Sequence, residues 1–248
     1  AAVLEMAEAS GLSRVALAER DPVLASSAGT GQLLLAAADA GVSRITLGIG
    51  GSATTDGGRG LLQGLGARIG EDDALDPTGL AGLHPALARI HLEVACDVSN
   101  PLLGPDGAAA VFGPQKGATP DLVAQLDDRN RRWADRLEAV TGRRVRDIAG
   151  AGAAGGVGFA LLAIGDRFAS FALRPGVELA MAAAGFDAKL AAADLVITGE
   201  GRIDASTAFG KTALGVARRA RDAGVPCIAV GGGVLPEGIA ALAPLGAV

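Results

Sequence analysis

Segment 44–66, RITLGIGGSATTDGGRGLLQGLG, constrains this chain more than any other stretch. Residues 45–49 are an apolar run of strand length, residues 50–58 a glycine-rich loop, and Leu61, Leu62 and Leu65 carry helical spacing. Strand, loop and helix in that order imply an α/β fold. They also expose backbone N–H groups beside small hydroxyls at a helix start, an arrangement suited to an anion, above all a phosphate. Gly50, Gly51 and Ser52 are the cradle candidates, with Thr54, Gly57 and Gly58 beside them. Asp56 sits among these donors, where a carboxylate either holds magnesium or takes a proton from a substrate hydroxyl. The competing reading is a tight turn whose glycines supply positive φ, with Asp56 capping the helix.

Composition removes several classes of function. At 248 residues and mean hydropathy +0.37 the chain can bury a large core or two smaller ones, and charge or glycine interrupts every apolar run before it reaches spanning length. A net charge of −5 with six Phe, one Trp and no Tyr speaks against a nucleic-acid surface. Cys96 and Cys227 read as reduced thiols in apolar context. No secretory leader pattern is present, so the cytoplasm is the expected compartment. The chain opens Ala1-Ala2-Val3-Leu4 without an initiator Met and closes on a strand-like 245–248, so a fragment of a longer protein is expected.

Further candidates lie along the chain. Segment 92–98, LEVACDV, reads as a strand, and its Asp97 falls at the edge where open α/β sheets place ligands; the alternative is an aspartate organising the turn before Asn100-Pro101. Lys116, in FGPQKG, is one of only three lysines among 22 cationic residues, and a lysine in a tight glycine loop suits a phosphate or carboxylate. Thr119-Pro120-Asp121 starts a charged, solvent-facing helix that Gly142 ends. Residues 71–76 read as a solvated acidic loop. His84 and His91 have no Ser or Cys neighbour in sequence to activate, which disfavours a catalytic triad. Segment 150–155, GAGAAG, fits the dinucleotide pattern to the letter, but the charged residues before it make a poor central strand; it reads better as a lead into a helix at 157–164. From residue 194 onward the chain predicts one βαβ unit, with Gly199, Glu200 and Asp204 after its first strand and Lys211 before its helix. Two parallel strands cannot cover themselves, so more strands and helices are expected.

Four motifs in this order, LGIGGSATTDGGRGLLQGLGARI, ACDVSNPLLGPDGAAAVFGPQKGA, GAGAAGGVGFALLA and DLVITGEGRIDASTAFGKTALGVARRA, make the chain resemble the bacterial glycerate kinase family. The resemblance runs over nearly the whole chain and is weakest at 71–89. It implies transfer of a phosphoryl group from ATP to D-glycerate, with Mg²⁺, yielding 2-phosphoglycerate. It also implies two α/β domains, one Rossmann-like and built from both chain ends, the other inserted. Mapped here, residues 1–192 are chiefly the inserted, glycerate-side domain and 193–248 part of the Rossmann-like one. The family's N-terminal loops and C-terminal extension have no counterpart in these residues. Arg59 and Gly64 replace expected alanines, Arg59 adding a cation beside the loop, and Ala205-Ser206 replace a common Gly-Gln.

From these readings Gly50, Gly51, Ser52, Thr54, Gly57, Gly58 and Asn100 are expected to bind substrate or phosphate, and Lys116 to neutralise charge. Asp56 and Asp97 are the candidates for base or metal ligand, the sequence leaving open which does which. Gly199, Glu200, Asp204 and Lys211 are expected to serve the nucleotide, and Asp204 is a third metal candidate. A homodimer is compatible with the reading, and neither nucleic acid nor membrane is an expected partner. Two other classes stay open: a non-catalytic glycerate- or nucleotide-binding fragment, and an NAD-dependent oxidoreductase using 150–155.

Overall fold

The computed structural model describes residues 1–70, 73–205, 207 and 212–247. They form two compact units, Ala1–Leu173 and Arg174–Val248. The segment around Met181 and Leu190 packs into the core of the second of these units.

The first unit carries a four-stranded sheet in sequential order: β1 (Ala2–Glu5), β2 (Arg44–Gly48), β3 (His91–Ala95) and β4 (Ser170–Arg174). The first three run parallel, with Leu4 opposite Leu47 and Leu47 opposite Val94. Its helices are α1 (Ala7–Ser10), α2 (Ala28–Asp39), α3 (Arg59–Gly64), α4 (Pro77–Leu80), α5 (Ala108–Phe112), α6 (Pro120–Thr141) and α7 (Val157–Ala163). Period-two alternation sends Ile45, Leu47, Leu92 and Val94 into the core, where they meet Leu34, Leu61, Leu62 and Leu65. Each such side chain contributes roughly 1.5–3 kcal/mol by leaving water.

Helices α2 and α3 touch backbone to backbone. A Cβ on Gly31 would lie 2.4 Å from the Leu61 carbonyl oxygen, and one on Gly64 would lie 2.3 Å from that of Ala28. The glycine at 64 is thus what the crossing demands. Helix α6 starts as expected, with the Thr119 side chain accepting from the Leu122 N–H and Pro120 in the first turn, and it ends at Gly142 in the left-handed region. Its role is not purely solvent-facing: Leu126, Asn130, Trp133, Ala134 and Leu137 form a buried inner stripe. The acidic loop also differs from expectation. Of its charges, Asp73 is largely buried, pairing with Arg59 and, at 3.7 Å, with Arg129; Glu71 and Asp72 lie outside the described residues.

The second unit contains α8 (Gly176–Ala183), α9 (Phe186–Leu190), β5 (Val196–Glu200), α10 (Thr212–Asp222), β6 (Cys227–Gly231) and α11 (Pro236–Leu242). Strands β5 and β6 pair in parallel, Val196 opposite Cys227, which is the βαβ unit read from the sequence. One face packs on Leu214, Ala217 and Ala220 of α10, whereas Ile197 and Val230 on the other stand 67% and 56% exposed. Among the described residues no helix is long and apolar enough to cross a membrane.

Candidate functional site

At the carboxyl ends of β2 and β3 the chain leaves the sheet through two loops, and a cavity of about 320 Å³ opens there. Gly50, Gly51, Ser52, Cys96, Asp97, Gln115 and Lys116 are among the residues that line it. Ala153 and Ala154 complete it from the loop before α7. Candidates separated by more than sixty residues in sequence therefore meet at the edge where parallel sheets bind ligands.

Lys116 is the centre of charge. It is 2% exposed, and its ammonium donates to the Ser52 hydroxyl at 3.0 Å and the Thr54 carbonyl at 2.6 Å. Both acceptors are neutral, and Lys116 makes no ion pair among the described residues. Burial lowers its pKa to about 8, with the nearby Asp56 charge pulling the other way. The N–H groups of Gly50, Gly51 and Ser52 have no acceptor among the described residues, because the loop's contacts to the first helical segment use other atoms: Leu12 N–H donates to the Gly51 carbonyl, and Ala53 N–H to that of Ser10. A buried cation and unpartnered amides on one wall make a receptor for an anion.

Asp56 is not part of that wall. Its carboxylate, 5% exposed, accepts from the Ser27 N–H (2.9 Å) and hydroxyl (2.8 Å), the Gly58 N–H (3.0 Å) and the Gly60 N–H (3.1 Å). The Ser27 hydroxyl in turn accepts from the Leu61 N–H at 2.8 Å. The start of α3, expected to face an external anion, is thus capped by the protein's own carboxylate and serine. An oxygen pair so engaged has no capacity left for magnesium or a substrate proton, which is the helix-cap reading rather than the catalytic one.

Thr54, Gly57 and Gly58 are framework too. The Thr54 hydroxyl donates to the Ala154 carbonyl at 3.2 Å, Gly57 N–H to that of Gly155 at 2.9 Å, and the Trp133 indole to that of Gly57 at 3.1 Å. Segment 150–155 is therefore a docking surface for the glycine loop. A Cβ on Gly155, at φ 69°, would fall 1.9 Å from the Thr54 carbonyl oxygen, so the letter match to a dinucleotide fingerprint reports close packing of two loops. The Asn100 side-chain amide donates to the Asp106 carbonyl (2.8 Å) and its backbone carbonyl accepts from Gly152 N–H (2.9 Å), fixing the turn after Asp97. Arg59 is engaged by Asp73, and its added charge does not reach the cavity wall.

Ser27 and Trp133 are supporting residues that sequence reasoning passed over, as is the cavity-lining Gln115. Ser27 has the look of a cap for α2, and nothing local shows that its hydroxyl serves α3. Trp133 carried a signal: it is the single tryptophan, set at helical spacing from Leu126, Asn130 and Leu137. The histidines stay away from the cavity. His91 Nδ1 does meet the Ser170 hydroxyl, 2.9 Å away across two strands, but the pair is exposed on the open face of the sheet.

In the second unit Glu200 ends β5, and Asp204 follows it, pairing with Arg202 at 3.5 Å; its N–H donates to the Thr207 hydroxyl at 3.1 Å. Gly199 lies within the strand, and Lys211 lies outside the described residues. Among the described residues no cluster of three or more His, Cys, Asp or Glu side chains could hold a metal ion. Of the three metal candidates, Asp56 is saturated, Asp97 is the single carboxylate of the cavity wall, and Asp204 belongs to the other unit. These residues do not build a protein-held magnesium cage.

Comparison with known proteins gives one consistent result. The sequence profile of the Glycerate kinase family matches residues 1–247. The chain is similar to the protein called Glycerate kinase in Bacillus subtilis (strain 168), at 46% identity over 245 residues, 94% of this chain and 63% of that protein. It is similar to Glycerate 2-kinase of Escherichia coli (strain K12), at 41% identity over 248 residues, 95% of this chain and 64% of that protein. Among solved structures it resembles a candidate glycerate kinase 2 from Salmonella typhimurium LT2, with TM-score 0.80 and 43% identity, covering 98% of this chain and 71% of that one. The chain thus spans about 63% of the length of the curated relatives it matches.

Proposed function

This chain belongs to the glycerate kinase family, and from that premise we propose that the protein transfers the γ-phosphoryl group of ATP to D-glycerate at the cavity between the β2 and β3 loops. The observation that carries this reading is Lys116, a buried cation with only neutral acceptors, set beside unpartnered backbone amides and facing a cavity that also holds one carboxylate. Lys116 and the amides of Gly50, Gly51 and Ser52 hold the substrate's negative charge. Asp97 accepts the proton of the attacking hydroxyl as that oxygen bonds to phosphorus and the bond from phosphorus to the nucleotide's bridging oxygen breaks. The remainder of the rate comes from alignment, which is why the loop is anchored by Asp56, Ser27, Trp133 and Gly155 rather than left mobile.

The product is 2-phosphoglycerate, a choice favoured by the name of the Escherichia coli relative. Magnesium would enter with ATP and would supply charge neutralisation at the phosphates. Glu200 and Asp204 are the second unit's own nucleotide-binding candidates, and the expected compartment is the cytoplasm. The test is a coupled assay of ADP release with D-glycerate, beside calorimetry with each ligand alone. Turnover that requires both ligands supports the kinase reading. Tight binding of glycerate without turnover would leave a binding protein, and NAD(H) binding would point to the oxidoreductase.

A further inference from the structure

Gln115 stands out once the cavity's polar groups are sorted by what they can do. Lys116 and the loop amides only donate. Asp97 only accepts. The Cys96 thiol is turned onto the Val98 carbonyl at 3.3 Å, and the Ser52 hydroxyl already accepts from Lys116. The Gln115 carboxamide offers a neutral donor and a neutral acceptor together and, unlike the Ser52 hydroxyl held by Lys116, makes no hydrogen bond among the described residues. Its backbone, by contrast, is tightly held. The Gln115 carbonyl accepts from Arg20 Nη1 at 3.1 Å, Lys116 N–H donates to the Gly113 carbonyl at 2.9 Å, and Gly117 N–H to that of Pro114 at 3.1 Å. The turn is a 3-10 segment, Pro114–Lys116, pinned by the buried lysine at its end. A rigid anchor with an uncommitted carboxamide is the construction expected of a group that reads a ligand.

Glycerate has three polar groups, and the wall has three kinds of partner. A carboxylate needs donors, supplied by Lys116 and the amides. The reacting hydroxyl must lose its proton to an acceptor, supplied by Asp97. The second hydroxyl stays neutral, donating and accepting at once, and a carboxamide is its complement. We infer that Gln115 is the specificity-determining residue that recognises the non-reacting hydroxyl of the substrate, so that the cavity selects a dihydroxy acid over a monohydroxy acid of the same length. This inference rests on the kinase reading above.

The experiment compares glycerate with its two deoxy analogues, lactate and 3-hydroxypropionate, as phosphoryl acceptors for the wild-type protein and for Gln115→Ala and Gln115→Leu. Only the analogue that keeps the reacting hydroxyl turns over, which also identifies that hydroxyl. Loss of one neutral hydrogen bond predicts that kcat/KM for glycerate falls about tenfold in both variants. The reactive analogue, which lacks the recognised group, should change less than about twofold under the same principle. Gln115 is exposed, so both variants should melt with the wild type. An equal loss on glycerate and on the analogue would overturn the inference and leave Gln115 as a shape-keeping residue. Wild-type protein that phosphorylates none of the three would overturn the kinase reading itself, a distinguishable failure.

Discussion

Asp56 and Asp204 are both aspartates in glycine-containing turns that follow a parallel strand, and their surroundings could hardly differ more. Asp56 is enclosed by α2, α3 and the loop itself, and its carboxylate accepts from a serine and two glycine amides. Asp204 keeps a quarter of its side chain exposed and pairs with Arg202. The first unit has helices stacked over a four-stranded sheet, so a turn at its edge is overlaid; the described residues of the second hold the parallel pair β5 and β6, with Ile197 and Val230 exposed on one face. The same local signal therefore accompanies a carboxylate saturated by backbone and serine donors in one unit and a partly buried, ion-paired one in the other. Within the first unit the contrast recurs: Asp97 lines the cavity, while Asp56 faces the core and holds the start of α3.

The contrast can be broken experimentally, beginning with the largest effect. Asp97→Asn should lower kcat by roughly 10²- to 10⁴-fold, the range for loss of a positioned base, with an unchanged melting temperature. A near-normal rate would remove Asp97 from the reaction. Asp56→Asn should do the opposite. It strands donors on Ser27, Gly58 and Gly60 and should cost about 3 kcal/mol of stability or more, read from urea unfolding. An unshifted midpoint with lost turnover would restore Asp56 to the chemistry.

Lys116→Met should weaken glycerate binding by roughly ten- to a hundredfold in calorimetry, the value of a charge-assisted hydrogen bond, while leaving stability unchanged or raised. Its pH behaviour has two opposed signs. Deprotonation of Lys116 above about pH 8 should reduce the apparent affinity for an anionic substrate. Stability should move the other way: the folded pKa lies below the ordinary 10.5, so between about pH 8 and 10.5 the unfolded chain holds more protons, and this group's contribution to stability rises with pH. Affinity and melting temperature that fall together above pH 8 would contradict this account of Lys116. The smallest effect belongs to the second unit. Asp204→Asn should change stability by about 1 kcal/mol or less, since its partner Arg202 is mostly exposed, and should raise KM for ATP with KM for glycerate unchanged.

Much of the fold was legible before any coordinates. Residues 45–49, the helix opened by Thr119-Pro120 and closed by Gly142, and the βαβ unit around α10 all appear within a few residues of where periodicity and caps put them. The misreadings share one cause. Asp73 read as a solvated charge because its partners Arg59 and Arg129 are distant in sequence, and segment 150–155 read as a possible fingerprint because a tight glycine approach looks alike whether the neighbour is a pyrophosphate or the Thr54 carbonyl.

Alternating apolar residues, caps and turn glycines acted locally, and so the sequence by itself determined which segments became strands and helices, and the order of motifs determined the family. Hydrogen-bond satisfaction is a property of whatever layer lies opposite a group, and only the tertiary structure decided that Lys116 meets Ser52 and Thr54, that Ser27 closes over Asp56, and that Gln115 is left with an unspent amide at the cavity. Asp56 became framework through burial, because a carboxylate removed from water must take every donor within reach, and the Ser27 donors come from a segment distant in sequence.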